Sequence, residues 1–325
     1  MFKIYKDKDA SLKYLKGKTI SILGYGSQGK AQALNLRDSG LRVLIGLPQN
    51  NKDRRAALKD GFKVYTPEKA VKAGEIISVL APDHKHKEIY EKSVQKNLTP
   101  GKTLVFAHAY SIYFKLIKPP AYIDLILVAP HGPGELLRKL FLEKKGVTSF
   151  LAVEKDYSKE AFNKALAYAK GIGSTKAGAI LTTFRDEAIG DLFGEQAVLG
   201  GGLSELLKSG FETLVSSGFS PENAYLECIH QLDLIVELIK KYGIAGMFKK
   251  ISQTAEFGSY TSGKKVINKK EMKRILSEIK NGNFAKRWMR EYESGMRNYK
   301  KMKRYWENHL LQKTWESLNI LFQDD

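Results

Sequence analysis

The stretch ISILGYGSQGKAQALNLRDSG, residues 20–40, decides the fold of the first half of this 325-residue chain. Gly24, Gly26 and Gly29 stand in G-x-G-x-x-G spacing, after an apolar β-branched run and at the start of a helical pattern. In that context Gly24 permits a tight turn, Gly26 lets backbone approach a pyrophosphate, and Gly29 lets helix and strand pack closely. A glycine-rich turn without a ligand is the alternative. The surrounding strand and helix favour a dinucleotide site.

Further apolar, β-branched segments repeat this pattern. They are RVLIGL (42–47), EIISVLAP (75–82), TLVFAHA (103–109), IDLILVAP (123–130) and TSFLAVE (148–154). Helical patterns lie between most of them, so the segments predict a parallel sheet covered by helices on both faces. After about residue 180 the sequence reads as helices with short breaks. We therefore predict an α/β Rossmann-type domain over residues 1–181 and an all-helical domain over residues 182–325.

The amino-acid composition limits the classes of protein to which this chain can belong. The formal net charge is +19, but Lys and Arg are spread along the chain, with modest clustering at 264–304. Because no nucleic-acid motif accompanies the charge, small acidic substrates and cofactors are favoured over nucleic acid as partners. Cys228 is the sole cysteine, the first residues lack a secretory pattern, and no apolar run reaches about 18 residues. A cytoplasmic protein without membrane contact is expected.

Two helical segments in the second half carry candidate metal ligands. DLFGEQAVLGGG (191–202) places Asp191 and Glu195 four residues apart, and ECIHQLDLIVEL (227–238) does the same for Glu227 and Gln231. Oxygen ligands at this spacing lie on one helix face and suit a hard cation such as Mg²⁺. An exposed acidic face, or a polar pair at a helix interface, is the alternative. The second segment also predicts a buried apolar stripe of Ile229, Leu232, Ile235, Val236 and Ile239.

Seven segments together resemble one known family. They are GYGSQGKAQALNLRDSG, FAHAYSI, APHGPGELLRKLF, DLFGEQAVLGGG, GFETLVSSGFSPENAYLECIHQLDLIVEL, ISQTAEFG and FAKRWMREYESG. In this order they resemble the short form of the ketol-acid reductoisomerase family over nearly the whole chain. The resemblance implies a Rossmann-type domain and a helical domain that intertwines with a partner subunit. It implies Mg²⁺, a nicotinamide cofactor, and an alkyl shift followed by hydride transfer on 2-acetolactate-type ketol acids in branched-chain amino acid synthesis.

The resemblance also implies roles for individual residues. His108 matches the active-site histidine, and Ser252 matches a serine that contacts substrate. Metal ligands are matched by Asp191, Glu195 and Glu227, with Glu227 serving the partner's site. Cofactor contacts are matched by Tyr25, Gly26, Ser27, Gln28, Asp83 and Gly134. The neighbouring His84 and His86 are expected to be loop residues near the cofactor.

Several positions depart from the family pattern. His131 stands in place of a lysine at the active site and is the second candidate catalytic residue after His108. Gln231 stands in place of the fourth metal carboxylate, Glu135 in place of a histidine, and Ala109 in place of a glycine. The arginine and two serines of the usual phosphate-binding loop correspond to Pro48, Asn51 and Asp53. We expect a weak second Mg²⁺, a weakened NADPH preference and usable NADH, although Lys52, Arg54 and Arg55 could hold a 2′-phosphate. A working isomeroreductase, a plain 2-keto acid reductase and a non-catalytic module remain as hypotheses.

Overall fold

A nine-stranded sheet organises the first part of the chain, in a computed structural model that describes residues 3–319. The strands are β1 (Ile4–Tyr5), β2 (Thr19–Leu23), β3 (Arg42–Gly46), β4 (Val64–Tyr65), β5 (Ile76–Val79), β6 (Thr103–Phe106), β7 (Asp124–Pro130), β8 (Ser149–Lys155) and β9 (Ala179–Leu181). They lie in the order β1-β9-β8-β7-β6-β5-β2-β3-β4. The parallel strands β5 and β2 pair next to each other and place the glycine-rich loop at their carboxyl ends.

The sheet is parallel in its centre and mixed at one side. The pairs from β4 through β7 are all parallel, as the alternation of strands and helices predicts. Strand β8 runs antiparallel to β7, and β1 runs antiparallel to β9. The expected parallel sheet is therefore confirmed as a parallel-dominant one, with antiparallel pairs at one side. The apolar content of residues 148–154 predicts burial, but it carries no information on strand direction.

Helices cover both faces of this sheet. They are α1 (Ser27–Asp38), α2 (Arg54–Lys59), α3 (Pro67–Ala73), α4 (His86–Ile89), α5 (Tyr110–Tyr113), α6 (Gly134–Leu142), α7 (Ala161–Gly171) and α8 (Ser174–Ala177). Strand β7 shows how the two cores form, since Ile126 and Val128 join one buried cluster while Leu125 and Leu127 join the other. Successive side chains of a strand point to opposite faces, so an uninterrupted apolar strand serves two cores.

The rest of the described chain is helical. Its helices are α9 (Phe184–Gly194), α10 (Gly201–Ser216), α11 (Pro221–Tyr225), α12 (Leu232–Phe248), α13 (Gln253–Ser262), α14 (Lys269–Lys280), α15 (Asn283–Glu293), α16 (Arg297–Glu307) and α17 (Leu310–Leu318). The chain divides into a first unit, Met1–Gly190, and a second unit, Asp191–Asp325. The domain boundary expected at residues 181 and 182 stays a prediction. No helix within residues 3–319 is long and apolar enough to cross a membrane.

The segment that predicts a buried stripe differs from expectation. A π-helical turn, Leu226–His230, precedes α12, and α12 is itself kinked at Gly243, where φ is 71°. Val236 and Ile239 are 38% and 36% exposed, so the stripe is not buried within one chain. The helical period marks an apolar face correctly, but it does not say which molecule covers that face.

Candidate functional site

Close backbone contacts shape the glycine-rich loop between β2 and α1. Gly24 has a φ of +108°, and a Cβ there would lie 2.7 Å from the amide nitrogen of Ala81. A Cβ on Gly29 would clash with the carbonyl oxygen of Gly24. Gly26 differs, because a Cβ there would meet no described heavy atom within 4 Å apart from its chain neighbours. Gly24 and Gly29 therefore serve the packing of the loop, whereas Gly26 faces open space at the amino terminus of α1.

The first two residues of α1 hold the loop that follows β7. Ser27 Oγ accepts a hydrogen bond from the Gly134 N–H at 3.0 Å, and Gln28 Nε2 donates to the Gly132 carbonyl at 2.8 Å. A Cβ on Gly134 would clash with the Ser27 carbonyl. The amino termini of α1 and α6 are thus brought together, and both present backbone N–H groups that suit an anionic ligand.

A buried chain of hydrogen bonds orients Gln28 from behind. The Ser78 hydroxyl donates to Tyr168 Oη at 2.7 Å, and Tyr168 donates to Gln32 Oε1 at 2.9 Å. Gln32 Nε2 then donates to Gln28 Oε1 at 3.0 Å. Since Ser78, Tyr168 and Gln32 are almost completely buried, each bond satisfies a group that would otherwise be costly to remove from water.

A cavity of about 790 Å³ opens beside this loop, between α1 and α6. Its lining includes Tyr25, Gly26, Ser27 and Gly134, four of the residues expected to contact the cofactor. The Tyr25 hydroxyl donates to Asp60 Oδ2 at 2.9 Å. Burial, followed by the hydrogen bond and charge of Asp60, raises the pKa of Tyr25 well above its usual value. Tyr25 therefore stays neutral and forms a fixed wall of the cavity.

The loop after β3 lies where this fold recognises the adenosine ribose. Asn51 Oδ1 accepts from the Asp53 N–H at 2.8 Å, and the Asp53 side chain makes no capping bond to α2. Arg54 donates to two backbone carbonyls, at 3.4 and 3.1 Å, so its guanidinium is held by the scaffold. Lys52 and Arg55 are exposed. Arg54 is thus the weakest of the three basic candidates for holding a 2′-phosphate.

His108 and Asp83 meet at the carboxyl ends of adjacent strands β6 and β5. His108 Nδ1 lies 3.2 Å from Asp83 Oδ2, and because a carboxylate only accepts, the proton belongs to Nδ1. Burial acts to raise the pKa of Asp83, but the hydrogen bond and charge interaction with His108, aided by His86 and His84, hold that pKa below its usual value. The pair is an imidazole held in one orientation by an ionised carboxylate.

His131 lies at the start of the loop after β7. Its Nδ1 is 3.1 Å from Thr148 Oγ1, and its ring packs edge-on against Phe150 with centroids 4.3 Å apart. Both contacts come from β8 and the residue before it, so the antiparallel pairing of β7 and β8 positions this imidazole. The catalytic role assigned to His131 stays a prediction.

The candidate metal ligands lie on exposed helix faces of the second unit. Asp191 and Glu195 are one turn apart, and the helical backbone of Gly194 between them keeps both on one face. Glu195 begins a π-helical turn, Glu195–Leu199, and Glu227 lies in the other π-helical turn of this unit. Such turns are uncommon and often occur at functional sites. Two carboxylates in this arrangement match the oxygen ligands that Mg²⁺ prefers.

These ligands are not gathered into one cluster within a single chain. Across residues 3–319, no group of three His, Cys, Asp or Glu side chains is arranged to hold a metal ion. Glu227 and Gln231 are exposed, and so is Ser252, whose Oγ caps α13 by accepting from the Ala255 N–H at 3.2 Å. The metal and substrate roles of these residues therefore stay predictions.

Comparison with known proteins decides the family. The model described as "Acetohydroxy acid isomeroreductase, NADPH-binding domain" matches residues 14–178. The model described as "Ketol-acid reductoisomerase, C-terminal domain" matches residues 184–323. The chain belongs to the ketol-acid reductoisomerase family. The resemblance inferred from the sequence motifs is thereby confirmed, as is a Rossmann-type unit followed by a helical one.

Individual ketol-acid reductoisomerases are similar over their full length. The ketol-acid reductoisomerase (NADP(+)) of Methanopyrus kandleri is 48% identical over 326 residues, covering 100% of both chains. The structure of an NADH-preferring ketol-acid reductoisomerase from an uncultured archean superposes with a TM-score of 0.94 at 41% identity, covering 99% of each chain. A semialdehyde dehydrogenase NAD-binding protein from Cupriavidus necator, at 17% identity and a TM-score of 0.63 over 82% of this chain and 98% of that one, shares the fold alone.

Sequence reasoning did not predict the burial of two residues close to His108. Glu187 of α9 is 4% exposed, and its Oε2 accepts from the Ala109 N–H at 2.8 Å. His86, expected in a loop, instead begins α4 and is 3% exposed. His84 lies in a short 3₁₀ turn, Asp83–Lys85. The signal for burial was weak, since one polar residue in a helical pattern looks the same whether it faces solvent or another loop.

Proposed function

We propose that the protein is a working ketol-acid reductoisomerase, an oxidoreductase of branched-chain amino acid biosynthesis. It carries out a Mg²⁺-dependent alkyl shift in 2-acetolactate-type ketol acids and reduces the product with NADH or NADPH. The observation that carries this proposal is the full-length similarity to ketol-acid reductoisomerases, at 48% identity in sequence and a TM-score of 0.94 in structure. A plain 2-keto acid reductase and an impaired family member are not favoured, because the family models of both domains match this chain, over residues 14–178 and 184–323.

The dinucleotide site is proposed to use the loop from Gly24 to Gly29. Open space at Gly26 admits the pyrophosphate, and the amino terminus of α1 offers its N–H groups to the phosphates. The hydrogen bonds from Ser27 and Gln28 fix the loop of Gly134 beside them. The cavity between α1 and α6 would then exclude water from one side of a cofactor bound there.

His108 is proposed to bind and orient an oxygen of the substrate. With its Nδ1 proton donated to Asp83, the other ring nitrogen is directed away from the carboxylate. A fixed imidazole can exchange a proton with a substrate oxygen without first reorienting, which lowers the entropic part of the barrier. Asp83 stays ionised at neutral pH because its pKa is held low, so the orientation persists.

Asp191, Glu195 and Glu227 are proposed to hold Mg²⁺. When bound, Mg²⁺ acts as a Lewis acid that polarises adjacent oxygens of the ketol acid. Asp191 and Glu195 bring two full negative charges from one helix face, whereas Gln231 brings only an amide dipole beside Glu227. The residues therefore fit one strongly held cation, with a second held more weakly.

NADH is proposed to be usable alongside NADPH. Asp53 would repel a 2′-phosphate, and the Arg54 guanidinium is already bonded to backbone carbonyls. Lys52 and Arg55 are the exposed groups that would attract the phosphate instead. The similar structure from an uncultured archean is described as NADH-preferring, and the relative from Methanopyrus kandleri is named for NADP(+), so the family includes both choices.

A homodimer or larger homo-oligomer in the cytoplasm is proposed as the working form. Large apolar side chains of the second unit, among them Leu234 and Ile244, are 57% and 64% exposed in the single chain. Exposed apolar area of this extent is typical of a surface that another protein covers. A second copy of the chain would also bring a second Glu227 to share a metal site.

The proposal is tested by assaying the purified protein with 2-acetolactate and, separately, with 3-hydroxy-3-methyl-2-ketobutyrate. Each substrate is offered with NADH and with NADPH, in the presence of Mg²⁺ and after chelation. We expect both substrates to be consumed, and 2-acetolactate only when Mg²⁺ is present. If only the keto acid is consumed, the protein is instead a plain 2-keto acid reductase. If the protein binds nucleotide but turns over neither substrate, it is instead a non-catalytic module.

A further inference from the structure

A buried histidine connects the two loops that carry Asp83 and His108. His86 Nε2 lies 2.7 Å from the carbonyl oxygen of Ala81, in the loop after β5. His86 Nδ1 lies 2.9 Å from the Ser111 hydroxyl, on the short helix α5 that follows His108. His86 is 3% exposed and Ser111 is fully buried. Both ring nitrogens are thus used to join the carboxyl ends of two neighbouring strands.

The partners of His86 fix where its proton sits. A carbonyl oxygen only accepts, so Nε2 must carry the hydrogen that is donated to Ala81. Burial lowers the pKa of His86, against the opposing effects of the Asp83 charge and the Ala81 bond, so the ring is neutral near pH 7. The bare Nδ1 then accepts from the Ser111 hydroxyl, and the tautomer is set by the two loops themselves.

The tautomer of His86 also affects which hydrogen bonds Asp83 accepts. Asp83 Oδ1 lies 3.7 Å from His86 Nδ1, and Asp83 Oδ2 lies 3.2 Å from His108 Nδ1. If His86 carried its proton on Nδ1, it would offer Asp83 a second donor in competition with His108. The Ser111 hydroxyl occupies the lone pair at Nδ1 and so stabilises the tautomer that does not compete.

We propose that His86 and Ser111 are positioning residues that reserve the Asp83 carboxylate for His108. The inference rests on the proposed function only in that His108 is taken to act on the substrate. His86 holds the backbone at Ala81, two residues before Asp83, while Ser111 lies three residues after His108. The pair, whose two side chains are buried, therefore fixes the separation of the carboxylate and the imidazole.

The test compares Ser111→Ala with Ser21→Ala. Both serines are fully buried and donate one hydrogen bond each, at 2.9 Å to His86 and at 2.7 Å to the Ala70 carbonyl. Comparable losses of stability are therefore expected from the two variants. Ser111→Ala is expected to lower kcat by roughly tenfold, the effect of one displaced hydrogen bond, with NADH and NADPH dissociation constants within about twofold of wild type. Ser21→Ala is expected to retain kcat.

A spectroscopic measurement on the protein without substrate separates this inference from the proposed function. Protein labelled with ¹⁵N-histidine is examined by NMR, and the ring signals are assigned with His86→Gln and His108→Gln. In Ser111→Ala we expect the His108 Nδ1–H signal to move towards that of an imidazole not bonded to carboxylate. In His86→Gln, whose amide can still donate to the Ala81 carbonyl, a smaller change is expected.

An unchanged His108 signal in Ser111→Ala would overturn the inference, whatever the assays show. Equal losses of kcat in Ser111→Ala and Ser21→Ala would overturn it too, because a general loss of stability would then explain both. A shifted His108 signal in a protein that turns over neither substrate would support the positioning role and count against the proposed function alone.

Discussion

Asp53 introduces a carboxylate at the amino end of α2, where its N–H is bonded to the side chain of Asn51. We expect Asp53→Ser to strengthen NADPH binding relative to NADH by roughly tenfold, because a like charge near the 2′-phosphate is removed. Fluorescence titration of both cofactors measures the ratio. Asp53→Asn is the matched control, since it removes the charge and keeps the side-chain shape. Wild-type protein that binds NADPH a hundredfold more tightly than NADH would contradict this account of the loop.

Gln231 and His131 replace two charged residues of the family pattern, a carboxylate and a lysine. We expect Gln231→Glu to raise Mg²⁺ affinity, because a carboxylate offers a hard cation a full charge where an amide offers a dipole. With His131→Lys added, isomerisation should gain more than reduction of the keto acid. Calorimetric Mg²⁺ titration and the two assays measure these effects, and Gln312→Glu on α17 controls for added negative charge. If neither substitution changes Mg²⁺ affinity or the ratio of the two activities, these positions do not limit the chemistry.

At the scale of elements, the turn between β2 and α1 contains one glycine that serves packing, Gly24, and one that is proposed to serve ligand binding, Gly26. Gly24→Ala should destabilise the fold by about 1–3 kcal/mol or more, since φ is +108° and the methyl group would meet backbone at 2.7 Å. Gly26→Ala should leave stability near wild type and lose dinucleotide affinity, because only the ligand would meet the methyl group. Denaturant unfolding and cofactor titration are made on both variants. Equal effects of the two substitutions on both measurements would show that this division is wrong.

The elements also show how far sequence alone reaches. The long apolar strands, the glycine loop and the helical second half follow from local patterns that span a whole element. Two-residue strands such as β1 and β4 are too short to show a period, and the direction of β8 is set by its partners. Among site residues, motifs locate His108 and Asp83. Glu187 and His86 bond to residues distant in the chain, which no local pattern reports.

At the scale of the whole molecule, the exposed apolar faces of the second unit predict assembly. Leu234 on α12 is 57% exposed. Leu58 on α2 in the first unit is 54% exposed, so its substitution is a control of matched exposure. We expect sedimentation analysis to find a dimer or larger species at micromolar concentration. Leu234→Lys should weaken that association and lower the thermal midpoint in a concentration-dependent way, whereas Leu58→Lys should do neither. A wild-type monomer at this concentration would contradict the proposed assembly.

The π-helical turn at Glu195–Leu199 has a consequence for how this helical unit tolerates changes in length. A π turn holds one residue more than an α turn needs, and one residue of an α-helix corresponds to about 100° of rotation. The extra residue therefore rotates the face that carries Asp191, about the helix axis, relative to the face of α10 that buries Phe211. Removing any one residue from 196–199 would give a smoother helix while turning the two faces out of register. In this segment the spacing of residues is under tighter constraint than their identity, and alignments of the family should show substitutions there without gaps.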